Sequence, residues 1–129
     1  MAAEPITVLI RYQALPGRED EALALLSELI ATVVREEPDC LGIELLTYES
    51  DRGRILLNET WTSREAYLGP HFQTPHLKAF IEAAPASFAE APDISFWERR
   101  AVARRGGGGG GRARPPAGGG GGRGTRGPP

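Results

Sequence analysis

The side chains best suited to acid–base chemistry lie in one short stretch that contains both histidines of the chain, His71 and His76. An imidazole has an intrinsic pKa near ~6.5, which suits a general base at neutral pH. The alternative is that both histidines only tie two short helices together. A shared metal site is disfavoured, because ligands on one helix face stand three or four residues apart and these stand five apart with Pro75 between them. We therefore take His71 as the candidate base and predict no metal site.

An indole and a side-chain amide precede the histidines. Trp61 stands at a predicted strand end, where it can stack on a flat substrate or fill the core, and both interpretations stay open. Asn58 can hydrogen-bond a carbonyl or enolate oxygen. An offset of three residues, however, places Asn58 and Trp61 on opposite faces of a regular strand unless a bulge intervenes. Glu49 and Glu59 rank lower, because strand carboxylates are mostly solvated or paired with arginine.

Hydrophobic periodicity predicts the elements that position these residues. Alternating β-branched residues indicate a first strand. Apolar residues at intervals of three and four predict a long amphipathic helix. A turn-rich segment, Ser50–Gly53, separates two further strands. The predicted order is strand, helix, strand, strand, helix, strand. The predicted elements are residues 6–11, 18–36, 41–49, 54–61, a helix in two pieces at 62–68 and 75–84, and 94–98.

This order is that of the α+β ferredoxin-like fold, βαββαβ, with helices on one face of a four-stranded antiparallel sheet. The predicted strands carry apolar side chains on both faces, as at Leu56 and Leu57 or at Phe96 and Trp97. A homodimer that packs sheet against sheet would bury the second face. We therefore expect a homodimer.

Composition separates a folded domain, residues 1–102, from a Gly/Arg/Pro-rich tail, residues 103–129, that we expect to be disordered. Residues 106–129 hold four of the 15 basic residues and none of the 17 acidic ones. The rest of the chain therefore has 11 basic against 17 acidic residues, a net charge of −6. An acidic body argues against binding to a nucleic-acid backbone.

The remaining composition points to a soluble protein of a reducing compartment. A single cysteine, Cys40, excludes an intramolecular disulfide and a cysteine-rich zinc site. No run of residues approaches the ~20 apolar side chains of a membrane span, and residues 1–11 lack the features of a secretory signal. We expect a cytoplasmic protein with no membrane partner.

The segment from Leu56 to Phe80 carries a family resemblance. Its strand end, Glu59-Thr-Trp61, and the following element His71-Phe-Gln-Thr-Pro-His76 resemble the antibiotic biosynthesis monooxygenase family, including its quinol monooxygenases. The junction over residues 36–42 is similar too, and the resemblance covers residues 6–100. It implies a dimeric α/β barrel that oxygenates a quinol, an anthrone or a related enolizable aromatic substrate with O2, without metal, flavin or any other cofactor.

The resemblance also implies roles for single residues. His71, Trp61 and Asn58 become the catalytic candidates, and Tyr67 and His76 become the substrate-binding candidates. Tyr67 is similar to the tyrosine that follows the tryptophan in the polyketide anthrone oxygenases of the family, and Asn58 is similar to their asparagine. His71 departs from the commoner spacing, because a one-residue insertion places it farther from Trp61.

Two other classes of function fit the same order of elements. An RNA-recognition module would need aromatic side chains on its two central strands, and neither residues 6–10 nor residues 54–58 contain one. A non-catalytic dimeric α/β barrel that binds a small aromatic or signalling molecule would need the same apolar cavity as an oxygenase. That second alternative stays open.

Overall fold

Four antiparallel strands, three α-helices and two short 3₁₀ turns are seen in a computed structural model, which describes residues 4–105. Their bounds are β1 Ile6–Gln13, α1 Glu19–Glu36, β2 Cys40–Tyr48, β3 Asp51–Trp61, α2 Arg64–Leu68, a 3₁₀ turn Pro70–Gln73, α3 Pro75–Ala83, a 3₁₀ turn Ala84–Ala86 and β4 Asp93–Trp97. The strand order across the sheet is β2-β3-β1-β4. The predicted α+β ferredoxin-like fold is confirmed.

These elements belong to a unit that ends at Arg99, and a second unit begins at Arg100. In the second unit the described residues, 100–105, form no helix or strand. The predicted tail lies almost wholly outside the described residues. Within residues 4–105, no helix is long and apolar enough to span a membrane.

The helix and strand ends follow local chemistry. α1 begins with Glu19, Asp20 and Glu21, and negative charge in a first turn is favourable to the helix dipole. Ser63 caps α2, because its hydroxyl accepts a hydrogen bond from the backbone N–H of Ala66 at 3.0 Å. Thr74 caps α3 in the same way. These two caps fix where the helices after Trp61 begin.

The β2–β3 hairpin is tighter than the predicted turn over Ser50–Gly53. β3 already begins at Asp51, which pairs with Tyr48 after a register irregularity. The Asp51 carboxylate accepts a hydrogen bond from the backbone N–H of Gly53 at 2.9 Å. Polar residues that are typical of a loop are thereby accommodated inside the strand.

The sheet has two unlike faces. The face that packs on the helices is buried and holds alternate residues of β3, namely Ile55, Leu57, Glu59 and Trp61. The opposite face presents Leu46 and Trp97, which are about half exposed. Apolar side chains therefore occur on both faces, as predicted. Homodimer formation through the exposed face stays a prediction.

Candidate active site

Three aromatic rings meet where β3 runs into α2. The ring of His71, in the 3₁₀ turn, lies 4.7 Å from that of Trp61 and 5.0 Å from that of Tyr67, centroid to centroid. Trp61 and Tyr67 meet edge to face at 5.4 Å. All three side chains are buried. The chain therefore brings together the candidate base and two of the predicted aromatic residues, in the packing geometry that aromatic pairs prefer.

A buried carboxylate joins the two histidines. Glu37, just after α1, lies 3.0 Å from Nδ1 of His71 through both carboxylate oxygens. Its Oε2 also lies 2.6 Å from Nε2 of His76 in α3. An ionised carboxylate only accepts hydrogen bonds, so each of these ring nitrogens carries a proton. In the sequence, Glu37 was part of the family-like junction over residues 36–42, but it was given no role. Glu37 and His71 are far apart in the chain, so no local pattern connects them.

This arrangement defines which nitrogen of His71 is basic. With its Nδ1 proton donated to Glu37, the neutral imidazole keeps its lone pair on Nε2. Among residues 4–105, no hydrogen bond involves that Nε2 atom. Burial lowers the pKa of His71, and the hydrogen bond with Glu37 opposes that shift only in part. His71 is therefore neutral at pH 7 and can accept a proton.

Glu59 is a second buried carboxyl group beside this cluster. It is only 4% exposed, and its Oε1 accepts a hydrogen bond from the indole Nε1–H of Trp61 at 2.8 Å. Burial raises the pKa of Glu59 to about 7, against the lowering effect of the Trp61 hydrogen bond, and the charge of Glu37 adds to the rise. The sequence analysis ranked Glu59 low as a strand carboxylate. Glu59 stands two residues before Trp61, so both side chains lie on the same face of the strand. This spacing was the signal that could have placed Glu59 on the buried face.

The pKa of Glu59 predicts a pH-dependent cost to folding. Since the folded-state pKa of about 7 exceeds the ordinary value of 4.5 for a glutamate side chain, the stabilisation is complete below pH 4.5 and is lost as the pH rises to about 7. We expect Glu59→Gln to gain about 3 kcal/mol in free energy of unfolding, relative to the parent, between pH 4.5 and pH 8. Urea unfolding at both pH values measures this difference. A difference that stays constant with pH would contradict the prediction.

A largely apolar cavity of about 430 Å³ lies beside the aromatic cluster. Tyr67 and Phe72, whose rings both contact the ring of His71, form one wall. Tyr12, Phe80 and Phe88 form another. Cavities of this size and lining are typical of sites for small organic ligands.

The other predicted site residues lie elsewhere. Asn58 is on the opposite face of β3 from Trp61, where its amide donates to Glu44 Oε1 at 3.0 Å. No bulge intervenes between them, since both pair in regular register with β1. His76 lines a separate groove of about 310 Å³ between α1 and α3. The structure therefore unites Trp61, Tyr67 and His71, connects His76 to His71 through Glu37, and leaves Asn58 apart.

Metal-binding and thiol chemistry have little geometric basis in the described part of the chain. Among residues 4–105, no set of three or more His, Cys, Asp and Glu side chains is arranged to hold a metal ion. At Glu37 the ring nitrogens hydrogen-bond directly to the carboxylate. Cys40 is buried, and burial raises the pKa of its thiol to about 11, so it is protonated at neutral pH.

Comparisons with a family model and with known proteins point to the same family. The family model described as antibiotic biosynthesis monooxygenase matches residues 5–83. An uncharacterized protein of Synechocystis is 31% identical over 97 residues, a match that covers 75% of this chain and 65% of that protein, just under two thirds of its length. The Escherichia coli protein named "probable quinol monooxygenase YgiN" is 30% identical over 96 residues, which cover 66% of this chain and 89% of that protein.

Solved structures agree with the fold. The crystal structure of PA3566 from Pseudomonas aeruginosa superposes with a TM-score of 0.70 at 26% identity, over 78% of this chain and 99% of that one. The family model, which matches residues 5–83, spans the positions of Glu37, Glu59, Trp61, Tyr67 and His71.

Proposed function

Because this chain belongs to the antibiotic biosynthesis monooxygenase family, we propose that it is a cofactor-independent monooxygenase that oxidises a quinol, an anthrone or a similar enolizable aromatic substrate with O2. The observation that carries the proposal is the buried imidazole of His71. It is hydrogen-bonded through Nδ1 to Glu37 and packed against a wall of the aromatic cavity. The name of the Escherichia coli relative supports a quinol as the substrate class.

The first step of the proposed reaction is proton removal. The ring of His71 lies behind the cavity wall that Tyr67 and Phe72 form, so this step requires the substrate to reach between those two rings. There His71 Nε2 takes a proton from the hydroxyl or the acidic C–H of the substrate, and Glu37 stabilises the imidazolium that forms. The same carboxylate prevents the ring from turning, so Nε2 stays the basic atom. Proton transfer by a positioned side chain typically accelerates a reaction by about 10²–10⁴-fold.

The substrate anion then reduces O2 itself. For a substrate methylene group, two C–H bonds break and one C=O bond forms, which is a four-electron oxidation. The O–O bond breaks, one oxygen atom enters the product and the other leaves as water, which consumes the same four electrons. The protein contributes deprotonation, orientation and exclusion of water, and the apolar walls formed by Tyr67, Phe72 and Phe80 suit that purpose.

Oxygen consumption tests the proposal directly. With metals chelated, the purified protein is expected to consume O2 above the uncatalysed rate with at least one member of a panel of reduced quinols and anthrones, and to place one atom of ¹⁸O2 in the product. Trp61→Phe is expected to lower the rate, since it removes the indole that packs on His71. Asn58→Ala, on the other sheet face, is expected to leave the rate within about twofold.

The outcomes separate the two candidate functions. No uptake above the uncatalysed rate with any substrate would overturn the oxygenase and favour a protein that binds a small aromatic or signalling molecule in the same cavity. A loss of activity in Asn58→Ala as large as in Trp61→Phe would instead move the reaction to the other face of the sheet.

A further inference from the structure

Two tyrosine side chains from different elements line the aromatic cavity. Tyr12 lies on β1 and Tyr67 on α2, and both are buried, with exposed fractions of 9% and 2%. Their rings belong to separate aromatic groups. Tyr12 packs against Phe80 and Phe88, and Tyr67 packs against His71 and Phe72. The cavity lies between these two groups, so the tyrosines approach it from two sides.

The phenol hydroxyls lack protein partners. Within residues 4–105, neither the Tyr12 hydroxyl nor the Tyr67 hydroxyl takes part in any hydrogen bond to another residue. Buried hydroxyl groups nearly always have a hydrogen-bond partner, because burying one without a partner is costly. Two such hydroxyls on residues that line one cavity therefore indicate that the cavity binds a ligand with a polar atom.

The two hydroxyls and the Glu59 carboxyl group are electrostatic neighbours. Burial raises the pKa of Tyr12 far above its usual range, and the charge of Glu59 raises it further. Burial, Glu59 and then Tyr12 raise the pKa of Tyr67 in the same direction. Both phenols therefore stay protonated at any physiological pH, so each is a hydrogen-bond donor. Both donors belong to side chains that line the same cavity, so both can contact a ligand bound there.

We propose that the hydroxyls of Tyr12 and Tyr67 form a two-donor site for an oxygen atom of a flat aromatic ligand, so that the cavity selects phenol-like over purely hydrocarbon rings. The apolar walls contribute most of the contact area, and the donor pair orients the ring by its oxygen. Since an unmatched donor pair is left buried when the oxygen is missing, the site discriminates strongly against the hydrocarbon analogue. The inference deepens the proposed function by giving its substrate a recognised oxygen, but it concerns binding and needs no turnover.

Binding of 2-naphthol, with 2-methylnaphthalene as the analogue that lacks the oxygen, tests this site. We expect the folded parent to bind 2-naphthol, measured by titration calorimetry or by ligand fluorescence. Tyr12→Phe and Tyr67→Phe are each expected to weaken that affinity about tenfold. The same variants should not weaken the binding of 2-methylnaphthalene, because that ligand offers the hydroxyls no acceptor. Tyr48→Phe is the matched control, because Tyr48 is half exposed and lies outside this cavity.

Each contrary outcome overturns the inference. It is wrong if the parent does not bind 2-naphthol, or if Tyr12→Phe binds it as tightly as the parent does. It is also wrong if the tyrosine variants lose both ligands equally, since the loss would then come from packing. A parent that binds 2-naphthol through Tyr12 yet consumes no O2 with any substrate would keep this inference and overturn the proposed oxygenase, so the two failures are distinguishable.

Discussion

Replacing His71 by asparagine is expected to lower the rate of oxygen consumption by about 10²–10⁴-fold, the usual contribution of a positioned general base. The asparagine amide nitrogen is bonded to Cγ, as Nδ1 of histidine is, so it can still donate a hydrogen bond to Glu37, but the amide cannot accept a proton at neutral pH. The measurement is the rate of O2 uptake at saturating substrate, together with circular dichroism to show that the variant is folded.

His76→Gln is the matched control for that experiment. His76 donates to the same carboxylate, at 2.6 Å, but it lines the groove between α1 and α3 and is not in the aromatic cluster. We expect its replacement to lower the rate less than about tenfold, because only one hydrogen bond to Glu37 is disturbed. Equal losses in the two variants would contradict the role of His71 as base and would attribute the effect to the Glu37 network as a whole.

Replacing Glu37 by alanine is expected to lower the free energy of unfolding by about 1–3 kcal/mol, the usual cost of leaving a buried hydrogen-bond donor without its acceptor. Glu37 connects the end of α1 to the 3₁₀ turn through His71 and to α3 through His76. Its removal leaves the Nδ1–H group of His71 buried without an acceptor. Urea unfolding at pH 7, followed by circular dichroism, measures the change.

The neighbouring residue offers the control. Glu36→Ala removes an exposed carboxylate whose ion pair, among residues 4–105, is with the exposed Arg35, so we expect a change within about 0.5 kcal/mol. If Glu36→Ala and Glu37→Ala destabilised the protein equally, the buried network would not be what holds these elements together. Glu37→Ala should also slow oxygen consumption, because the His71 ring would no longer be confined to one tautomer.

Much of the fold was determined locally, which is why the sequence by itself predicted it. The apolar spacing in α1 predicted Arg18–Glu36, and the helix spans Glu19–Glu36. The odd offset between Asn58 and Trp61 predicted opposite faces, and the regular pairing of β3 with β1 keeps them there. The periods of helices and strands are properties of the backbone, so a pattern within one element is enough to reveal which face each residue occupies.

The site, in contrast, was decided by contacts between elements distant in the chain. Glu37 and His71 meet only because α1 and the 3₁₀ turn pack on the same sheet face, and no local pattern marks Glu37 as the partner. Whether a carboxyl group such as Glu59 is solvated or buried depends on what covers it. The same holds for Tyr12, which lines the cavity in a core where its ring packs against Phe80 of α3. Burial and partnership are properties of the assembled core, and only the tertiary structure supplies them.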